Sequence, residues 1–200
     1  MKCGTTKWSI PVGINDSTWH GRYFAFDEFY GFHGLLTSAQ TDLAKRVPSF
    51  RLHSCLEKAV NRATYYSDEQ ARFMWETAEY GDENTVNGVW LDHVFHMAAV
   101  ALGAYEYYEY TLDREFLSEC YRMIRACAKF YTVTMIYRDS VRGVYFGKCC
   151  DLERLGTSRE NAFMSSCGAM CTLKICAVAA DILGIDSEYA AECRETAEEL

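Results

Sequence analysis

The chain has 200 residues and a formal net charge of −8, from 20 basic and 28 acidic side chains, and half of its residues are hydrophobic. That is enough apolar surface for one globular core, while the acidic balance and the lack of any lysine or arginine run exclude a nucleic-acid backbone as partner. No stretch reaches the roughly 20 uninterrupted apolar residues of a membrane span and the start, Met-Lys-Cys-Gly-Thr-Thr-Lys-Trp, has no apolar signal core, so a cytoplasmic protein with no membrane partner is expected.

Only Pro11 and Pro48 interrupt the chain, and apolar residues recur three and four apart over long runs, a pattern that predicts helices. A first helix is expected over Phe24–Ser38. A second follows Pro48, from Phe50 to Ala63, with Leu52, Leu56, Ala59, Val60 and Ala63 on one stripe. A third covers Trp90–Tyr110, with Leu91, Phe95, Ala98, Ala99 and Leu102 inward. Asp113 is a candidate N-cap for a fourth, which runs to about Tyr137 and repeats Phe116, Leu117, Ile124, Ala128 and Tyr131 at helical spacing. The fifth, Ala162–Leu183, is too broken by Gly168, Thr172, Lys174 and Asp181 for a membrane span and reads as a buried helix. Gly184 fits the residue past its end, and Asp186 or Ser187 caps a sixth helix that runs to Leu200.

Short links (38–48, 111–113, 184–186) alternate with long irregular stretches (64–89, 138–161). The fold expected is all-α: a partial toroid of about three helical hairpins, one domain over residues 1–200, incomplete at its C-terminus. Long loops in a compact domain are usually functional. If they share one face they build the cleft there, and the chemistry is to be sought in residues 1–23, 64–89 and 138–161. Ten cysteines include no C-x-x-C pair, which leaves reduced packing thiols. Cys120 with Cys127, and Cys167 with Cys171, suit buried helix faces; Cys149–Cys150 has no packing explanation.

The long stretches gather acids and aromatics: Trp19-His20-Gly21-Arg22-Tyr23-Phe24-Ala25-Phe26-Asp27-Glu28, Arg72-Phe73-Met74-Trp75-Glu76 through Glu83, and Cys150-Asp151-Leu152-Glu153 with Glu160-Asn161-Ala162-Phe163. Sugar chemistry uses this mixture: an acid protonates the glycosidic oxygen, aromatic faces stack on C–H faces, and carboxylates grip hydroxyls. Solvated loop acids, with aromatics anchoring the loops to the core, would give the same composition. His93 and His96, three apart beside Asp92, read as a packed or hydrogen-bonded pair, with a sugar contact or a metal as the other readings.

His20-Gly21-x-x-Phe24 with Asp27-Glu28 resembles the H-G-x-x-F-W-D-T-E segment of glycoside hydrolase family 65. Arg72-Phe-Met-Trp-Glu-Thr with Gly81-Asp-Glu83 is similar to its R-x-P-W-E-S…G-x-E stretch. The run from His93 through Tyr107 to Leu117 resembles its H…Y-x-x-T-G-D-x-x-F-L junction, and Asp151-Leu-Glu153…Asn161-Ala-Phe163 sits where the family has G-P-D-E-Y…N-N-A-Y. The resemblance implies a fragment of a six-hairpin (α/α)6 glycosidase: an inverting hydrolase or phosphorylase acting on an oligosaccharide. Glu153 would be the general acid, with Asp151 its rival. Phe26, Asp27, Glu28, Trp75, Glu76 and Asp151 would contact substrate. It implies no metal and no cofactor, with inorganic phosphate as co-substrate in a phosphorylase, and a full-length protein able to form a homo-oligomer. The 200 residues alone are expected to be inactive and poorly stable. Ala25 in place of Trp and the altered turn before Glu153 motivate one alternative, a non-catalytic toroid that binds a sugar or a protein; a sugar epimerase on the same fold is another and would need a histidine base in the cleft, for which His20 is the candidate.

Overall fold

The computed structural model describes residues 9–12, 19, 21–63, 69–151 and 158–200. The first helix, α1 (Ala25–Thr37), carries Asp27 and Glu28 in its first turn, where carboxylates meet the positive end of the helix dipole. The second helical arm begins before Pro48, as α2 (Thr41–Ala44) and α3 (Arg46–Phe50), and continues through a wide turn at Arg51–Cys55 into α4 (Leu56–Ala63). Pro48 does not delay the helix because it falls in the first turn of α3, where amide hydrogens have no partner within the helix.

The third helix is shorter than its periodicity suggests. Val89–Asp92 forms a 3-10 turn, His93 is extended, and α5 begins only at His96 and ends at Thr111. The fourth, α6 (Arg114–Phe130), has Asp113 as its N-cap, accepting the Phe116 amide at 3.0 Å. After a wide turn at Tyr131–Met135 the chain enters an antiparallel hairpin of β1 (Ile136–Asp139) and β2 (Gly143–Phe146), paired in the register Ile136 to Phe146. The end of the expected fourth helix and part of the expected loop are thus strand. The Tyr137 and Tyr145 rings stack across the hairpin at 5.4 Å, the kind of cross-strand pair that stabilises short hairpins.

The long apolar helix α7 (Phe163–Leu183) packs against α5, α6 and α8 (Ser187–Glu199) and buries Ala169, Leu173, Cys176 and Ala180. Gly184 stops it in the left-handed region, its amide bonded to the Ala180 carbonyl. Asp186 precedes α8 but makes no side-chain cap; its carboxylate instead accepts Tyr121 Oη at 3.1 Å and Arg125 Nε at 2.9 Å.

Helices α1, α5 and α7 pack in succession as an inner layer, and α6 and α8 cover them, with α4 against α6. The fold is all-α: among the described residues, three consecutive helical hairpins and one small β hairpin. Phe32, Met97, Leu117, Met123, Ile124 and Leu173 are fully buried between the layers, each worth about 1.5–3 kcal/mol of burial. Cys120 and Cys127 are buried on α6 as expected, whereas Cys167 is exposed and Cys171 only half-buried. The segments leading into α1, α5 and α7 all meet at the N-terminal ends of the inner helices.

Candidate functional site

Those three segments are stitched to one another by backbone pairing. Tyr23 and Thr77 exchange amide-to-carbonyl bonds of 3.0 and 2.9 Å, Val12 pairs with Arg22, and Thr77 also pairs with Glu83. His93 pairs in parallel with Cys150, whose amide donates to the Asp92 carbonyl at 3.2 Å; Cys149 pairs with Arg159. The 76–85 loop folds back over the second arm, and Gly81 there is obligatory. It has φ +85°, and a Cβ would lie 2.0 Å from the Ser54 carbonyl oxygen.

The stitched segments enclose a cavity of about 350 Å³ lined by Val12, Trp19, Phe24, Phe26, Asp27, Trp75 and Phe95. That size is at the small end of ligand pockets, roughly 300–1,000 Å³. Trp75 is its centrepiece. Phe24 meets the indole edge-on at 5.6 Å and Phe95 at 5.4 Å, and Phe95 in turn meets Phe26 at 5.4 Å. Asp27, exposed in the first turn of α1, supplies a carboxylate to this aromatic wall.

Behind the wall stand the two histidines. His93 lies against Trp75 at 4.4 Å with an interplanar angle of 35°, and His96 meets it edge-on at 5.4 Å. His96 is fully buried, and its Nε2 lies 2.9 Å from the Phe73 carbonyl oxygen. A carbonyl only accepts, so Nε2 carries the proton. Burial pushes the His96 pKa down to about 3, so the ring is neutral. Tyr131, from the outer layer, donates its hydroxyl to the Val94 carbonyl at 2.7 Å and fixes the backbone between His93 and Phe95. Among the described residues no group of three or more His, Cys, Asp or Glu is placed to hold a metal ion.

The structure therefore brings Phe26, Asp27 and Trp75 together, while Glu28, Glu76 and Asp151 do not line the cavity. Glu28 turns away from this cavity into the interior, 1% exposed, and bonds Arg51, with Nε and Nη2 at 2.8 and 2.7 Å from Oε2; Arg51 also donates to Thr77. Burial pushes the Glu28 carboxyl up, against the pull of Arg51. Glu76 adjoins Trp75 but is buried and ion-paired with Arg22. Asp151 is also buried. Its carboxylate accepts the amides of Met164 (3.2 Å) and Ser165 (2.9 Å) and the Ser165 hydroxyl (2.8 Å), so it caps α7 from outside the helix. Glu153 and His20 lie outside the described residues.

Helical periodicity counts Phe95 as an inward helix residue and does not mark Phe24 or Val12 as lining residues. Phe24 and Phe95 each directly precede an inner helix, and that shared position was the available signal. Beyond Phe26 and Phe95 the cavity adjoins an apolar groove of about 260 Å³ between α1, α5 and α7, into which Cys167 and Cys171 face.

Residues 5–145 match the model of the glycosyl hydrolase family 65 central catalytic domain. The chain is 26% identical over 190 residues to a protein of Mucilaginibacter mallensis named kojibiose hydrolase, an alignment covering 92% of this chain and 27% of that protein. It is 30% identical over 126 residues to a kojibiose hydrolase of Flavobacterium johnsoniae, covering 60% of this chain and 18% of the relative. The chain thus spans about a quarter or less of the length of these curated relatives. The family match includes Phe26, Asp27, Glu28, Trp75 and Glu76 and ends before Asp151 and Glu153.

Proposed function

This chain belongs to glycosyl hydrolase family 65, and on that premise we propose that it forms the sugar-holding wall of an inverting glycosidase that hydrolyses a glucose disaccharide of the kojibiose type. The observation that carries the reading is the cavity at the N-terminal ends of the inner helices. Its walls are Phe24, Phe26, Trp75 and Phe95, and Asp27 faces the same space. Aromatic faces take the C–H surfaces of a pyranose, and an ionised carboxylate grips its hydroxyls without needing a metal. The names of the two relatives support kojibiose as the first substrate to try.

In this reading Glu153 is the general acid. It protonates the glycosidic oxygen while water, giving its proton to a second carboxylate that acts as general base, or inorganic phosphate in a phosphorylase, attacks the anomeric carbon from the opposite face and inverts it. No cofactor is required. Asp151, two residues before Glu153 in sequence, spends its carboxylate on three donors at the start of α7. That favours Glu153 over Asp151 as the acid and gives Asp151 the task of tethering the segment. Arg22 holds Glu76 in a similar way beside Trp75.

The test is turnover of kojibiose by the protein that carries these residues, with and without phosphate. Release of glucose without phosphate is expected, together with a loss of most of kcat in Glu153→Gln at nearly unchanged KM. Full turnover by Glu153→Gln would overturn the acid assignment. Cleavage only with phosphate present would replace hydrolysis by phosphorolysis.

A further inference from the structure

We propose that His93 is a positioning residue that locks the Trp75 wall of the cavity to the segment leading into the catalytic acid. The inference rests on the function proposed above for Trp75 and Glu153, and it goes beyond that reading by assigning a residue that contacts neither sugar nor the scissile bond.

His93 and His96 are three apart in sequence, a spacing that would put them on one helix face. The structure separates them, because α5 starts at His96 and His93 is still extended, with φ −66° and ψ 134°. Extended backbone frees His93 to pair with another segment. It pairs in parallel with Cys150, and Cys150 donates its amide to the Asp92 carbonyl. The imidazole then lies between two loop segments. One ring face is against Trp75 at 4.4 Å, and Nε2 is 3.9 Å from Cys150 Sγ. His93 is 2% exposed and Cys150 fully buried. Their burial gives the unexplained Cys149–Cys150 pair a place: Cys150 takes the histidine, and Cys149 Sγ lies 3.4 Å from the Ser165 hydroxyl that Asp151 binds.

Asp151 follows Cys150 directly and is fixed to the start of α7, whose Met164 packs on the Phe24–Trp75–Phe95 cluster. His93 therefore sits where the sugar wall, the Cys150–Asp151 segment that leads into Glu153 and the inner helices converge. An apolar side chain of similar size could fill the space beside Trp75, but it offers no nitrogen to the Cys150 thiol. The flat face serves the wall and the polar edge serves the segment, so a ring-retaining substitution separates the two.

The experiment compares His93→Ala, His93→Phe and Cys150→Ala by kojibiose kinetics normalised to folded protein, and by Trp75 emission isolated as the difference from Trp75→Phe. His93→Ala is expected to raise KM about tenfold and lower kcat about tenfold. His93→Phe is expected to return KM to within about twofold of the parent while kcat stays low. Cys150→Ala, which leaves the stack intact, should lower kcat alone. The Trp75 emission should shift in His93→Ala and not in Cys150→Ala. If His93→Phe restores both constants, or if normalised kcat and KM are unchanged in all three, His93 merely packs and the proposal fails. The emission arm needs no turnover: an unshifted Trp75 in His93→Ala overturns the lock even if kojibiose proves not to be the substrate. A shift with an inactive parent would fault the functional reading instead.

Discussion

At one end of the helix pairs the chain reverses within two or three residues, at 38–40, 112–113 and 184–186; at the other it travels through the long segments that precede α1, α5 and α7. The short-link end is held by local devices, with Asp113 capping α6 and Leu112 and Gly184 in the left-handed region, and by ion pairs partly open to water, from Lys45 to Asp113 and from Arg125 to Asp186. The long-segment end is held by partners far apart in sequence. Arg51 reaches Glu28 and Thr77, Tyr131 reaches Val94, and Asp151 reaches Ser165. Local contacts can be exchanged one at a time, but a buried charge at the cavity end leaves its partner stranded. The cavity end should therefore be the costlier end to mutate, even at residues that never touch sugar.

Glu28→Ala makes the strongest demand on this contrast. Removing one member of a buried ion pair typically costs about 3–5 kcal/mol, because the other charge stays buried without compensation. Arg51 is 1% exposed and would be left in that state. Denaturant unfolding of Glu28→Ala should show that loss, and Glu28→Gln with Arg51→Met should recover much of it. A cost below about 1 kcal/mol, the range of surface ion pairs, would mean that the interior of this end is not sealed.

The same contrast decides what could be read from the sequence. Asp113, Gly184 and the inward stripes of α6 and α7 depend on neighbours within a turn or two, and their patterns identify them in advance. The motif around Asp27-Glu28 names both acids without separating them. On the first turn of α1, Asp27 points to the cavity and Glu28 to Arg51, 23 positions away, and only the fold reveals that partner. Asp151 is similar: an acid in a loop looks like chemistry until the first turn of α7 is seen to donate to it. His93 and His96 share a face only if the helix is assumed to begin early. The β hairpin escapes notice because Tyr131–Met135 continues the helical pattern of α6 up to its last turn.

His96 gives the next largest effect, and its sign is fixed. Its folded pKa, about 3, lies below the ordinary histidine value, so its contribution to stability is present above about pH 6.5 and is lost as pH falls toward 3. The loss is on the order of 3 kcal/mol at pH 4, since the unfolded chain takes up a proton that the folded chain refuses. His96→Gln can still donate to the Phe73 carbonyl and does not titrate. Unfolding midpoints between pH 7 and 4 should fall less steeply in the variant; parallel acid limbs would show that His96 is not held neutral.

Matching the two ends directly, Asp151→Ala and Asp113→Ala each remove a carboxylate from a helix N-terminus. Asp113 caps with one amide and pairs with Lys45 at 2.9 Å, while partly open to water. These contacts hold its carboxyl below the usual range, so its contribution is present at neutral pH and fades in acid. Its replacement should cost about 1 kcal/mol, the ordinary worth of an N-cap. Asp151 satisfies three donors while buried, and losing it strands them, for about 2 kcal/mol or more. Equal costs in thermal unfolding would erase the distinction between the ends.

The smallest effect reverses the sign. Leu112 follows α5 with φ 55° and ψ 24°, is 71% exposed, and donates its amide to the Tyr108 carbonyl at 2.7 Å. A side chain in the left-handed region costs roughly 1–2 kcal/mol. An exposed leucine returns little of that through burial. Glycine removes the strain but gives the unfolded chain more freedom, worth about 0.4–1 kcal/mol. The difference favours Leu112→Gly by about 0.5 kcal/mol, whereas Gly184→Ala, at the matching position after α7, should lose about 1 kcal/mol by the same reasoning. Opposite shifts in denaturant midpoint from these two substitutions are expected. If Leu112→Gly instead destabilises the chain, the leucine side chain has a packing partner, and the short-link end is not governed by backbone conformation alone.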